Sequence, residues 1–121
     1  MALTTVGRNL IASMLSNTLT AGAWLGVGDT STAFDASQTD LQASTNKVRK
    51  VVDSGFPTLS TNILTLQSTF ATTEANFHWQ EWGVFNASTG SVMVNRKVED
   101  LGTKTNTQSW QLTVTLTLVS S

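Results

Sequence analysis

The chain has 121 residues, of which 12% are charged, and its formal net charge is −1. This length is the usual size of one domain, so residues 1–121 are predicted to fold as a single unit. No excess of basic side chains is present to gather phosphates, and we expect no nucleic-acid partner. The chain has no cysteine, which excludes disulfides, thiolate nucleophiles and the usual structural zinc sites.

Apolar runs are short, and the longest, such as ILTL and AWLGV, fall far below the roughly 20 residues that cross a bilayer. The N-terminus shows no basic region followed by an apolar run. We therefore expect a protein made without a signal peptide and without a membrane partner. Thr and Ser are abundant while hydrophobic residues reach 40%, a composition that favours strands.

The first predicted element is an amphipathic helix over about residues 4–16, with Thr4 or Thr5 available as its N-cap. Its apolar residues recur at helical spacings and predict one apolar face. They are Leu3, Val6, Leu10, Ile11, Met14 and Leu15. Gly7 inside this segment can let the helix lie close against a sheet.

Strand patterns occupy most of the remaining chain, and the clearest is the alternation of apolar and Thr or Gln residues over 110–119. The predicted strands are 23–28, 47–54, 63–70, 77–85, 91–98 and 110–119, with a hairpin turn at 86–90 and Pro57 as a breaker. No strand–helix–strand spacing occurs. The sequence thus predicts a mainly β fold, an antiparallel β-sandwich with one N-terminal amphipathic helix.

A long polar segment, residues 29–46, separates two of these strands, and loops of this length in small domains are usually functional or interfacial. Phe34 and Leu41 are isolated apolar residues within it. We predict that they contact a neighbouring molecule, with Asp29 at the start of the same surface. The alternative, that they fold back onto their own core, stays open. Lys104, in DLGTKTNTQS, marks a second exposed candidate interface.

The segment FHWQEWGVF contains the single histidine of the chain and a glutamate three residues later. A regular strand would place Phe77, Trp79, Glu81, Gly83 and Phe85 on one face, and His78, Gln80, Trp82 and Val84 on the other. His78 and Glu81 would then point apart and could not act together as acid and base. We expect a packed strand rather than a catalytic one.

Glu81 would lie among apolar and aromatic neighbours, where an unpaired carboxylate is costly. We therefore predict a structural ion pair with Arg49, Arg96 or Arg8. No catalytic residue, metal ligand or cofactor site is predicted. The acidic residues Asp29, Asp35 and Asp40 do not have the spacing of a calcium loop. In GVGD we read Gly26, Gly28 and Asp29 as a strand exit and turn.

Three stretches in this order resemble a protein family: LTTVGRNLIASML, then WLGVGDTSTAFDASQTDLQ with VRK after a gap, then FHWQEWGVFNASTGSVMVNRKV followed by KTNTQSWQLTVTLTL. They resemble small virion structural proteins of tailed bacteriophages, known as tail or head fibre proteins. More distantly, they resemble the N-terminal domain of phage tail-collar fibre proteins.

The resemblance implies a non-enzymatic building block of the virion, made in the host bacterial cytoplasm and commonly a homotrimer. No long repetitive shaft follows within the sequence to Ser121, so we expect a compact piece. The first expectation is a capsid decoration (cement) protein bound to the major capsid protein. The second is a tail fibre, collar or neck adaptor bound to tail or neck proteins. A weaker alternative is a carbohydrate-binding module that stacks sugars on Trp24 or Trp110.

Overall fold

A computed structural model describes residues 3–20, 22–90 and 92–119. Within these ranges lie one helix and seven strands. They are α1 (Thr5–Thr20), β1 (Trp24–Gly28), β2 (Lys47–Val51), β3 (Thr58–Ser60), β4 (Ile63–Phe70), β5 (His78–Phe85), β6 (Met93–Thr103) and β7 (Trp110–Thr117). In the part of the chain so described, no helix is both long and apolar enough to cross a membrane.

The strands form two sheets in which every neighbouring pair is antiparallel. Sheet A has the order β2-β1-β5-β6 and sheet B the order β3-β4-β7. The predicted mainly β fold, an antiparallel sandwich with an N-terminal helix, is confirmed. Two details differ from the prediction. The short strand β3 forms directly after Pro57, and β6 continues to Thr103, well past the predicted end at residue 98.

The main core fills the space between the two sheets. Its largest members are Leu25 and Val27 of β1, Leu64, Leu66 and Phe70 of β4, Trp79, Trp82 and Val84 of β5, and Leu112 and Val114 of β7. Burying so many aliphatic and aromatic side chains is the dominant stabilising contribution in a chain without disulfides. Trp79 packs edge-to-face between Phe70 and Trp110, with ring centroids 4.9 and 5.1 Å away.

Polar contacts join the two sheets along the side where β2 passes β4. The fully buried Ser68 of β4 donates to the carbonyls of Lys50 and Val51, at 3.1 and 3.0 Å. Asp53, just after β2, accepts hydrogen bonds from the side chain of Gln67 and from both the amide and the hydroxyl of Thr69. These contacts satisfy polar groups that the sandwich edge would otherwise leave unpaired.

Strand β5 does not keep the strict two-residue alternation that the sequence predicted for it. Trp79 belongs to the same core cluster as Trp82 and Val84, whereas alternation placed it on the face of Glu81. The reason is a register shift between Trp79 and Glu81, where β6 carries extra residues opposite β5. A bulge of this kind reorients a side chain without ending the strand.

Helix α1 is longer than predicted, and most of its expected apolar face is exposed to solvent. It packs against β3 and β4 through Ala12, Ser16 and Leu19, which are its buried residues. Its larger apolar side chains Val6, Leu10 and Met14 are exposed. Of the expected apolar face, Leu15 packs against the core. The contact with the sheet is otherwise made by the side of the helix that carries Ala12, Ser16 and Leu19.

Candidate interaction site on the outer face of sheet A

The loop between β1 and β2, residues 29–46, folds back over the outer face of sheet A, on the side opposite the main core. Leu41 and Ala43 are buried beneath it, with 3% and 4% of their surfaces exposed. Phe85, which is fully buried but lies outside the main core cluster, belongs to this second, smaller packing layer. The loop is thus an ordered surface built on a sheet.

The Glu81–Arg96 ion pair holds this loop from below. Both side chains are completely buried, and Arg96 Nε donates to Glu81 Oε1 at 2.7 Å. The Glu81 carboxylate also accepts from the backbone amides of Gln42 at 2.8 Å and Ala43 at 2.9 Å. Breaking a buried, hydrogen-bonded pair leaves an uncompensated charge, so the arrangement strongly favours one loop position.

The guanidinium of Arg96 also binds the first half of the loop. It donates to the carbonyl of Thr32 at 2.8 Å and to the side-chain oxygen of Gln38 at 3.2 Å. Glu81 and Arg96 come from neighbouring strands and together contact four loop residues that span 32–43. Arginine suits this position because its planar group directs several donors at fixed angles.

Three glycines make room for this layer. A Cβ on Gly28 would overlap the Glu81 carboxylate, and one on Gly26 would approach the Phe85 ring to 2.8 Å and Leu41 to 3.0 Å. On β5, a Cβ on Gly83 would lie 2.7 Å from the carbonyl oxygen of Asn95. The interpretation of Gly26, Gly28 and Asp29 as a strand exit and turn is wrong for Gly26, which lies inside β1, whereas Gly28 is the last residue of that strand and Asp29 follows it in a bend. The role of these glycines is steric.

Arg49 secures the other end of the loop. Its guanidinium stacks over Phe85, 3.7 Å from the ring centroid, and donates to Asp40 and to the carbonyls of Ala87 and Gly90 in the β5–β6 hairpin. Partial burial raises the pKa of Asp40, but hydrogen bonds from Lys47, the Leu41 amide and Arg49 outweigh it and lower the pKa from its ordinary 3.8.

The structure decides which arginine pairs with Glu81. The partner is Arg96. Arg49 instead pairs with Asp40 and stacks on Phe85, and the Arg8 side chain donates to the neighbouring Asn9 on α1. Cross-strand geometry is the reason, because Glu81 lies opposite Val98 and Arg96 is therefore its diagonal neighbour on β6.

Of the four predicted interface residues, Phe34 and Asp29 are accessible to solvent, whereas Leu41 and Lys104 are buried. Phe34 is 58% exposed, and Asp29 is half-buried at the mouth of the loop, where it accepts from the Asn46 side chain at 2.8 Å. For Leu41 the structure favours the alternative, because the residue folds back onto its own chain and lies 3% exposed against sheet A.

The prediction that Lys104 marks an exposed interface is wrong. It is 1% exposed, and its ammonium donates to the carbonyl of Ala71 and the side chain of Asn76, each at 2.7 Å. The extension of β6 to Thr103 carries the residue beneath the turn that follows β4, so it fixes this turn instead of facing a neighbour.

His78 pairs with Asp100, outside the Glu81–Arg96 ion pair. Its Nε2 lies 2.7 Å from Oδ1 of the exposed Asp100, and the hydrogen bond from His78 lowers the pKa of Asp100. Among the described residues, no three His, Cys, Asp or Glu side chains cluster as a metal site would require.

Two open clefts flank the loop. One of about 370 Å³ is mostly polar and is lined by Asp29, Thr30, Thr32 and residues 42–46. The other, of about 230 Å³, lies between the loop, β2 and the β5–β6 hairpin and is lined by Asp40, Leu41, residues 47–49 and residues 88–90. In the smaller cleft the charged side chains Asp40, Lys47 and Arg49 pair with one another, and in the larger one Asp29 accepts from the Asn46 side chain. These pairings favour a polypeptide surface over a charged small molecule as the contact.

Sequence reasoning missed the parts of the site that bind through backbone atoms, above all the amides of Gln42 and Ala43. The available signal was the alternation of Gly26 and Gly28 in a strand beside one that carries a lone glutamate. A comparison with protein-family models finds no match, and a comparison with curated proteins finds none either.

Proposed function

We propose that this chain is a non-enzymatic structural protein of a tailed-bacteriophage virion, in the first place a capsid decoration protein that binds the shell as a trimer. The sequence resemblance supplies the class of protein. The observation that carries the proposal is that Glu81 and Arg96 hold the 29–46 loop in one position. A buried ion pair fixes residues 32–43 as one surface, from which Phe34 projects into solvent.

Such a loop is suited to binding a protein partner rather than to catalysing a reaction of a small molecule. Because the loop is already ordered, binding loses little conformational entropy, and a single exposed aromatic can act as an anchor in a pocket of the partner. Many copies of a modest contact then stabilise a shell collectively, since each bound copy favours the assembled state by mass action.

The carbohydrate-binding alternative depends on exposed tryptophan faces. Trp110 packs edge-to-face on Trp79 and lies over Gly102, which removes much of its ring from solvent, and Trp24 is half-buried in β1. These positions give sugar stacking less support than the loop gives protein binding. The tail fibre, collar or neck role uses the same loop surface and differs only in the partner.

The test is cosedimentation of the purified protein with capsids stripped of accessory proteins and, separately, with purified tails. We expect saturable binding to capsids. Phe34→Ser should weaken that binding at least about tenfold, since one anchor residue often carries this much of an interface. Val119→Ser, which shortens another exposed apolar side chain far from the loop in the chain, is the matched control and should bind normally.

Binding to tails but not to capsids would move the assignment to the fibre, collar or neck role. If the protein bound neither particle, the proposed function would be wrong. Normal capsid binding by Phe34→Ser would contradict the role of the loop while leaving decoration in place.

A further inference from the structure

Strand β7 lies at an open edge of sheet B. In the described part of the chain, its backbone pairs with β4 on one side and with no strand on the other. In an antiparallel ladder, alternate residues direct their N–H and C=O groups to opposite sides of the strand. Half of the eight residues of β7 therefore present unpaired donors and acceptors at strand spacing. The complement of such a row is another extended polypeptide strand.

The other edges of the two described sheets carry features that oppose strand pairing. Three of the five residues of β2 are charged, and Ser68 donates to two of its carbonyls. Strand β3 has three residues. Strand β6 carries four charged residues and pairs with β5 through two register shifts. Edge strands that are short, charged or bulged do not readily accept a further strand.

Strand β7 has none of these protective features. It pairs with β4 over eight consecutive residues without a register shift, and no charged side chain follows Lys104 in the sequence. The side chains on its outer face are exposed, and they are Gln111, Thr113, Thr115 and Thr117. A regular, uncharged edge of this length pairs with another strand when nothing covers it.

The sequence of β7 indicates which strand fits. Residues 112–116 read LTVTL, which is the same in both directions. A second copy of β7 that runs antiparallel about a twofold axis at Val114 sets Leu112 against Leu116 and Thr113 against Thr115. Thr–Thr pairs are among the cross-strand pairs that stabilise sheets. Leu116 is half-buried in the single chain, so its pairing with leucine removes further apolar surface from water.

We infer that two copies of this chain pair through β7, antiparallel and edge to edge. Sheet B then continues across the twofold axis in the order β3-β4-β7-β7-β4-β3. Such a contact is isologous, so each copy needs one self-complementary edge and no second surface.

This inference goes beyond the proposed function, because a twofold contact does not build a trimer. Where the proposed trimer also forms, pairing through β7 joins two trimers. The inference is the same whether the protein binds capsids or tails.

The first experiment measures mass by sedimentation velocity over a range of micromolar concentrations. We expect the unaltered chain to sediment as a pair of chains, or as a pair of trimers where the trimer also forms. The double variant Thr113→Lys, Thr115→Lys places lysine opposite lysine and should have half that mass. Both threonines are exposed in the single chain, so the circular dichroism spectrum should not change.

The matched control is the double variant Thr58→Lys, Ser60→Lys. It makes the same change of charge on exposed residues of β3, at the opposite edge of the same sheet. This variant should keep the mass of the unaltered chain.

A second experiment separates loss of pairing from loss of folding. The variant Thr113→Glu, Thr115→Glu should also be unpaired by itself, because like charges again face each other. An equimolar mixture of this variant with the lysine variant should regain the paired mass at low salt, since each lysine then lies opposite a glutamate. Two misfolded variants would not restore each other.

The outcomes separate this inference from the proposed function. An unaltered chain that is monomeric or simply trimeric overturns the inference, and so does a lysine variant that keeps the paired mass. Loss of pairing in the β3 control also overturns it, because β7 would then meet β3 of the next copy. If the lysine variant lost capsid binding at unchanged mass, the edge would instead belong to a strand of the particle.

A protein that pairs through β7 but binds neither capsids nor tails supports the inference and overturns the proposed function. An unpaired chain that still saturates capsids does the reverse.

Discussion

Glu81 and Arg96 form a completely buried ion pair on neighbouring strands, with 2.7 Å between Oε1 and Nε, and their remaining hydrogen bonds recorded in the structure go to the loop above them. The pair therefore links the position of an 18-residue segment, 29–46, to the register between β5 and β6.

Glu81→Gln should lower the free energy of unfolding by about 3 kcal/mol, because it leaves the Arg96 guanidinium buried without a counter-charge. Urea denaturation measures the loss. Hydrogen exchange at the Gln42 and Ala43 amides should also become faster, since both donate to this carboxylate.

The control for this variant is Asp100→Asn, which removes the charge from the solvent-exposed pair with His78. Exposed pairs contribute little, so no change in the urea midpoint is expected. An unchanged midpoint for Glu81→Gln as well would show that the buried pair does not stabilise the fold.

Gly28→Ala should be destabilising by about 1–3 kcal/mol, because the added methyl group occupies the space of the Glu81 carboxylate and β1 cannot shift without disturbing both of its neighbours. Gly22→Ala is the matched control, since a Cβ there meets no atom within 4 Å. Thermal unfolding of both variants compares them, and equal melting temperatures would contradict the steric role assigned to Gly28.

Lys104→Met should cost about 1–3 kcal/mol of stability although the side-chain volume is nearly kept. The substitution leaves the Ala71 carbonyl and the Asn76 side chain without the donor that now lies 2.7 Å from each. Proteolysis within residues 71–76 should become faster. Lys97→Met on the exposed face of β6 serves as the comparison, and sensitivity equal to that of Lys104→Met would argue against a special role for the buried ammonium.

Stability should fall in acid, and Asp53 should contribute to the fall. Burial raises the pKa of Asp53, but hydrogen bonds from Gln67 and Thr69 outweigh this effect and lower the pKa below its ordinary 3.8. Such a group contributes stability that is fully present above the unfolded pKa near 3.8 and is lost as the pH falls through the lower folded value. Glu74, whose pKa is lowered by the hydrogen bond from Lys50, adds a change of the same sign.

Urea midpoints measured from pH 7 to pH 2 follow this effect. They should be nearly constant down to about pH 5 and then decline. Asp53→Asn should be less stable at pH 7 but lose less stability on acidification. A decline identical to that of the unaltered chain would mean that Asp53 is not linked to folding.

The alternation of apolar and polar residues in β4 and β7 was sufficient to predict both strands, because a strand with one buried face needs that period. The need of Glu81 for a cationic partner also followed from the sequence alone, since a carboxylate among aromatic side chains is otherwise costly. Identifying Arg96 required the register of β6 on β5, which depends on a bulge and a turn that no periodicity encodes.

The sequence determined that α1 has an apolar side, and only the tertiary structure decided that most of this side faces outward. Helical spacing specifies which residues share a face but not which face meets the sheet, and here Ala12, Ser16 and Leu19 are the buried ones. For the same reason, Leu41 and Lys104 appeared to belong to polar surface segments. Their burial depends on what the chain places beside them, namely Phe85 with Gly26 in one case and the turn after β4 in the other.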